Sequence, residues 1–172
     1  SAASDVYKRQ SMMQPLDEIG KICKKYDALL IVDTVATLGG VDIRVDEWGL
    51  DACIAGTQKC ISAPSGSALI TYNKKIEDII AKRKKVEKGI RTADDIDGSL
   101  PMIPSNYLDL AQLQDYWSPR HLNHHTEATS MQYAVHEALR CIMLEGLDER
   151  FKRHSLNLSL IHISEPTRRV VI

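Results

Sequence analysis

Hydrophobic positions along the chain alternate between two rhythms. Leu16, Ile19, Cys23 and Tyr26 fall three or four residues apart, with Lys21, Lys24 and Lys25 between them, which is the spacing of one helix face. Pro15 suits the start of that helix, because the first helical position needs no N–H. Residues 28–32 form an unbroken apolar run that ends in Asp33. Such a run predicts a strand buried on both faces, as a parallel sheet requires. Residues 51–55 and 67–72 predict two further short strands. Helical spacing returns over 74–85, with Ile76, Ile79 and Ile80 inward. The stretch 88–105 is rich in Gly, Asp and Pro and reads as a loop. A short helix follows over 109–116. A longer one covers 127–145, with Met131, Val135, Ala138, Leu139 and Ile142 on one face and Gly146 placed to stop it. Helices alternating with short apolar strands predict an α/β layer structure.

The ends do not share this pattern. Residues 1–11 show neither periodicity nor a cap, and the amphipathic pattern stops before 155–172. Both read as translated adapter sequence, a non-native leader and tail that stand outside fold reasoning. Residues 12–154 are then the interior of a longer protein. The 172 residues carry 22 Lys+Arg against 23 Asp+Glu, so no net field favours nucleic acid or an anionic membrane surface. No stretch has the apolar length to span a bilayer. The four cysteines form no CxxC pair and no zinc-type spacing, so no metal is expected. Cys23, Cys53 and Cys141 lie among apolar neighbours, where a free thiol acts as a small hydrophobe. With no signal peptide in view, the expected compartment is reducing and cytoplasmic.

Candidate chemistry sits at the strand ends. Ligands of open α/β sheets bind beyond the carboxyl ends of the strands, and Asp33 directly follows the first apolar run. Lys59 follows the second strand across Gly56-Thr57-Gln58. Surrounded by small residues and shielded from water, such a lysine is expected to lose charge more readily and become an amine nucleophile. A carboxylate and a lysine so placed suit pyridoxal 5′-phosphate, the lysine as covalent anchor and the carboxylate as partner of the ring nitrogen. The pair alone leaves open a reading as two ordinary loop residues.

The surrounding words are more specific. IVDTVATLGG, DACIAGTQKCISAPSGSALITYN and NHHTEAT, in that order, resemble the class V aminotransferases, and within them the alanine–glyoxylate and serine–pyruvate group. The likeness runs from about Leu16 to His154. It implies a piece of the large domain of a fold-type I pyridoxal-phosphate enzyme, a mostly parallel sheet flanked by helices and truncated at both ends. It further implies that Asp33 pairs with the pyridinium nitrogen and that Val35 packs under the ring. Lys59 carries the cofactor and moves the proton, while Gln58 binds the phosphate. Thr126 reaches the phosphate held by a neighbouring subunit, which makes the parent a homodimer. Asn123 stands where the alanine–glyoxylate enzymes have Tyr. Its amide suits a ureido group, and NHHTEAT with SNYLDLAQL and DYWSPRHL resembles the (S)-ureidoglycine–glyoxylate aminotransferases of purine breakdown.

The implied reaction transfers an amino group from a small-molecule donor to glyoxylate. The alternatives are an alanine or serine donor, a cysteine desulfurase, which these words fit less well, and a non-catalytic dimerisation module. The family's phosphate-binding Gly/Ser turn, its ring-stacking aromatic and its carboxylate-gripping Arg do not appear, so the isolated chain is expected to have little activity. Other residues carry simpler expectations. Gly39-Gly40 reads as a tight turn, Cys60 as a small filler, and Lys82–85 as a solvated helix face. His124 and His125 are expected to point apart, and Trp48 and Trp117 to anchor packing.

Overall fold

The computed structural model describes residues 13–87, 105, 107–119 and 121–164. The described elements are α1 (Leu16–Lys25), β1 (Ile31–Asp33), β2 (Ala52–Gly56), β3 (Ala68–Tyr72), α2 (Lys74–Glu87), α3 (Leu110–Trp117), α4 (Thr129–Glu145) and α5 (Leu147–Ser164). The expected loop at 88–105 lies outside the described residues apart from Ser105. The three strands form one sheet in the order β1-β2-β3. β1 and β2 are parallel, with Asp33 beside Ile54. β3 runs antiparallel to β2, so the sheet is mixed over these strands.

The helices follow from local chemistry. In α1, Asp17 and Glu18 occupy the first turn and Lys24 and Lys25 the last, each sign opposing the helix dipole. Pro15 is the N-cap residue, one position earlier than its expected place. Asp109 caps α3, accepting from Ala111 N at 2.8 Å. Gly146 ends α4 with φ +81°, a conformation that suits glycine.

The core divides into two clusters on one face of the sheet. Leu16, Val32 and Leu50 pack with Leu30, Ile43, Val45 and Trp48 under α1. Ile61, Ala63, Val135 and Ile142 pack with Leu38, Leu69 and Ala138 under α4. Ile31, Ile54 and Ile70 point to the opposite face and are exposed, Ile31 to 58%. β1 is therefore covered on one face only, against the expectation of two. Tyr26 and Trp117 are more than 70% exposed and belong to neither core cluster, whereas Trp48 does pack. Leu139 and Cys141 of α4 are also exposed, because the buried stripe is narrower than the apolar one.

Two polar groups brace this frame. Asp51, at the start of β2, accepts from Leu30 N and from Asn73 Nδ2, both at 2.7 Å. It thereby joins all three strands at the sheet edge away from Asp33. At the junction of α4 and α5, Arg150 is 5% exposed. It donates to Glu145 at 2.7 Å, and Arg153 donates to the same carboxylate at 2.5 Å. Hydrogen bonds from Arg153 and then Arg150 hold the Glu145 carboxyl well down, at about 2 against an ordinary 4.5. Among the described residues no helix is long and apolar enough to cross a membrane.

Two outcomes are expected. A methyl group at Gly20 would collide with the carbonyl oxygen of Trp48, a backbone atom with little room to yield. Gly20→Ala should cost about 1–3 kcal/mol in urea unfolding, the range of core overpacking. The Glu145 carboxylate has a depressed folded-state pKa, so its contribution is full above about 4.5 and fades as pH falls towards about 2. The stability difference between the native chain and Glu145→Gln should shrink across that window, measured by chemical unfolding at each pH.

Candidate active site

Because β1 and β2 are parallel, their carboxyl ends lie at the same edge of the sheet. Each loop leaving that edge starts with a threonine exposed by 1% or less, Thr34 after β1 and Thr57 after β2. Thr34 N and Oγ1 both donate to Ile54 O, at 2.8 and 3.0 Å, which extends the β1–β2 pairing past Asp33. Thr57 Oγ1 lies 2.7 Å from Pro64 O and 3.2 Å from Ser67 O, closing the second loop on itself. Neither threonine was singled out from sequence. The signal available was a small hydroxyl residue directly after each strand.

These anchors fix the residues that matter. Asp33 Oδ1 accepts from Val35 N at 2.8 Å, an Asx-type turn that orients the carboxylate. Its Oδ2 has no partner among the described residues. Val35 and Gln58 converge on Gly56. A Cβ built on Gly56 would lie 3.4 Å from Val35 Cγ1 and 2.6 Å from Gln58 Oε1. A side chain here would push the Gln58 amide aside, so glycine lets side chains from two loops approach the same stretch of backbone. Lys59, next to Gln58, is exposed and pairs with no described residue. The shielding expected for it is not supplied by the described residues, since no side chain packs over it from the open sheet edge.

The two loops are also tied to each other. Cys60 Sγ donates to Ala36 O at 3.2 Å, and a Cβ on Gly40 would lie 2.6 Å from that sulfur. Gly39 has φ +81°. The Gly-Gly pair is thus a tight turn pressed against Cys60, as expected, and Cys60 is a filler with a specific partner. Arg150 reaches both loops. Its Nε donates to Gly39 O at 2.9 Å, and its Nη2 to Cys60 O and to Ser62 Oγ, the latter at 3.2 Å. Sequence reading passed over Arg150, which sits 91 residues from Lys59 in a charged helix where nothing marks one arginine as buried.

Asn123 and Thr126 lie in the extended segment between α3 and α4. Both are exposed, and neither side chain hydrogen-bonds a described residue. Between them, the histidines do not point apart. His124 Nδ1 and His125 Nδ1 are 2.8 Å from each other, one donating and one accepting. His125 Nε2 lies 3.1 Å from Glu127 Oε1, and Tyr107 and Tyr116 flank the His125 ring. Among the described residues no group of three or more His, Cys, Asp or Glu is arranged to hold a metal ion.

Comparison with known proteins agrees with this geometry. Over 145 residues the chain is 58% identical to the (S)-ureidoglycine–glyoxylate transaminase of Bacillus subtilis, covering 83% of this chain and 35% of that protein. Over 154 residues it is 33% identical to the alanine–glyoxylate aminotransferase of Rattus norvegicus, covering 88% and 33%. The crystal structure of the ureidoglycine–glyoxylate aminotransferase of Bacillus subtilis superposes with a TM-score of 0.70 at 52% identity, over 83% of this chain and 33% of that one. The chain thus spans about a third of the length of these relatives. The family Aminotransferase class-V matches residues 10–160, and with Asp33, Gln58 and Lys59 gathered at one sheet edge, the chain belongs to the class V aminotransferases.

Proposed function

We propose that this chain carries the cofactor-anchoring half of a pyridoxal-phosphate transaminase site. The parent protein would move an amino group from (S)-ureidoglycine to glyoxylate in purine breakdown. The observation that carries the reading is the approach of Val35 and Gln58 to Gly56, at the sheet edge that also holds an oriented Asp33 carboxylate and an exposed Lys59. That arrangement fits the group. Gly56 lets Val35 and Gln58 approach the same backbone, Asp33 Oδ2 is an open acceptor among the described residues, and Gln58 and Lys59 are exposed donors on one loop.

Bound here, pyridoxal phosphate supplies an electron sink for the carbon that loses its proton. The chain's own residues would do the rest. Asp33 would pair with the protonated ring nitrogen and keep it charged. Val35 would lie under the ring and exclude water from that face. Gln58 would hydrogen-bond the phosphate, and Thr126 would reach the phosphate of a neighbouring subunit in a homodimer. Lys59 Nζ would anchor the group and then take and return the substrate proton. Asn123 would meet the donor, its amide offering two N–H groups and a carbonyl to a ureido function.

The 58% identity to a ureidoglycine-using relative favours this donor over alanine. An alanine- or serine–glyoxylate activity is the second reading, favoured by the relative from rat. All four cysteines are free, which accords with a reducing, cytoplasmic compartment. Acting alone, the chain would turn over weakly, since substrate positioning demands more contacts than these residues offer.

The direct test adds pyridoxal phosphate to the purified chain, reduces with borohydride and maps the adduct by mass spectrometry. The adduct should be confined to Lys59 and vanish in Lys59→Ala. Adducts spread over surface lysines, or none, would overturn the site. In the full-length parent, Asn123→Tyr should shift donor preference from ureidoglycine towards alanine by about tenfold in kcat/KM, because the ureido function loses the amide that would hydrogen-bond it. An unchanged ratio would remove Asn123 from donor selection.

A further inference from the structure

The Lys59 loop contains a backbone feature that needs holding. Ser62 adopts φ +63°, a left-handed conformation that costs a non-glycine residue about 1–2 kcal/mol. The turn is closed by Ser62 N donating to Lys59 O at 2.9 Å. Ser62 Oγ lies 3.4 Å from Cys60 O. Ile61 packs into the core under α4, and among the described residues the side-chain hydrogen bonds donated to the turn from outside it come from Arg150, whose Nη2 serves both Cys60 O and Ser62 Oγ. The same guanidinium holds the other loop through Gly39 O, and Glu145 fixes its own orientation.

We propose that Arg150 is a positioning residue for the transamination site, setting the Lys59 turn against the Asp33 turn from behind. It acts through backbone carbonyls and one hydroxyl, away from the face on which Lys59 and Asp33 open. A planar fork is required, because donors must leave in three directions: to Gly39 from Nε, to Glu145 from Nη1, and to Cys60 and Ser62 from Nη2. Lysine offers a point charge at one position and reaches only part of this set. The Cys60 thiol, held against Ala36 O in the same assembly, reports on it directly.

This inference rests on the cofactor reading above only for its consequence at Lys59, so the test has two arms. In the 172-residue chain, Arg150→Lys should raise the alkylation rate of Cys60 about tenfold while buried Cys53 stays protected. Selective pyridoxal-phosphate labelling at Lys59 should fall by about tenfold, as expected when a reacting group is misplaced without unfolding. Unchanged Cys60 alkylation and unchanged labelling in Arg150→Lys would overturn the proposal. If Cys53 also becomes reactive, the chain has opened as a whole, and Glu145→Gln decides. That variant keeps the guanidinium but removes the carboxylate that orients it, along with the Arg153 pair, and it should speed Cys60 alkylation by a smaller factor; no change would again overturn the proposal. If the native chain shows no selective Lys59 adduct, the cofactor reading fails, and the Cys60 arm alone decides whether Arg150 sets the turn.

Discussion

A single buried guanidinium joins the parts of this molecule that chemistry needs at fixed separation. Burying a charge of this kind is costly unless every donor finds a partner. Arg150 pairs all three of its guanidinium nitrogens, with one carboxylate, two backbone carbonyls and a serine hydroxyl. The consequence is conformational more than energetic. Gly39 takes φ +81° and its carbonyl accepts from Arg150, and Gly40 has no side chain where the Cys60 sulfur lies close. Ser62 is held left-handed in the same assembly. Glycine pair, cysteine, serine and arginine are one constraint, spread over more than a hundred residues of sequence.

The fold was largely legible where periodicity is long. The helices expected over 74–85, 109–116 and 127–145 appear as Lys74–Glu87, Leu110–Trp117 and Thr129–Glu145, with boundaries displaced by two residues or fewer. The first and last showed an apolar stripe, and Gly146 marked the end of the last. Strands were harder. The run 28–32 is apolar throughout, but only Ile31 and Val32 of it pair, and an apolar run does not tell whether one or two faces will be covered. The sense of β3 was legible in principle. Gly56 and Ala68 are separated by a connection without a helix, shorter than a parallel crossover ordinarily needs, so an antiparallel return was the simpler geometry.

The site was legible to the extent that it is local. Asp33, Val35, Gln58 and Lys59 lie in two short words, each following a strand, and parallel pairing brings the words to one edge. Arg150 was not legible, because an arginine in a charged helix looks the same whether it faces water or is buried. Thr34 and Thr57 were passed over for a related reason: their hydroxyls bond to backbone atoms, a role that leaves no pattern in neighbouring residues. The histidine pair shows the opposite error. Adjacent side chains diverge in regular strands and helices, but residues 121–128 form neither, and there His124 and His125 turn towards each other.

Geometry and activation are therefore supplied by different parts of the protein. The orientation of Asp33 and the placement of Lys59 are built from contacts among residues 33–66, braced by α4 and α5. The low-dielectric surroundings that turn an amine into a nucleophile are a separate matter. They require apolar groups on the open side of the sheet edge, where Lys59 is exposed, and on the face where Ile31, Ile54 and Ile70 are uncovered. Desolvation acts over the volume around a charge, whereas hydrogen bonds act between named atoms. A turn held by a fork of hydrogen bonds can keep its shape without that surrounding volume. The order of dependence follows: placement of the lysine is set first, by this chain's own backbone, and its reactivity is set second, by whatever closes over the edge.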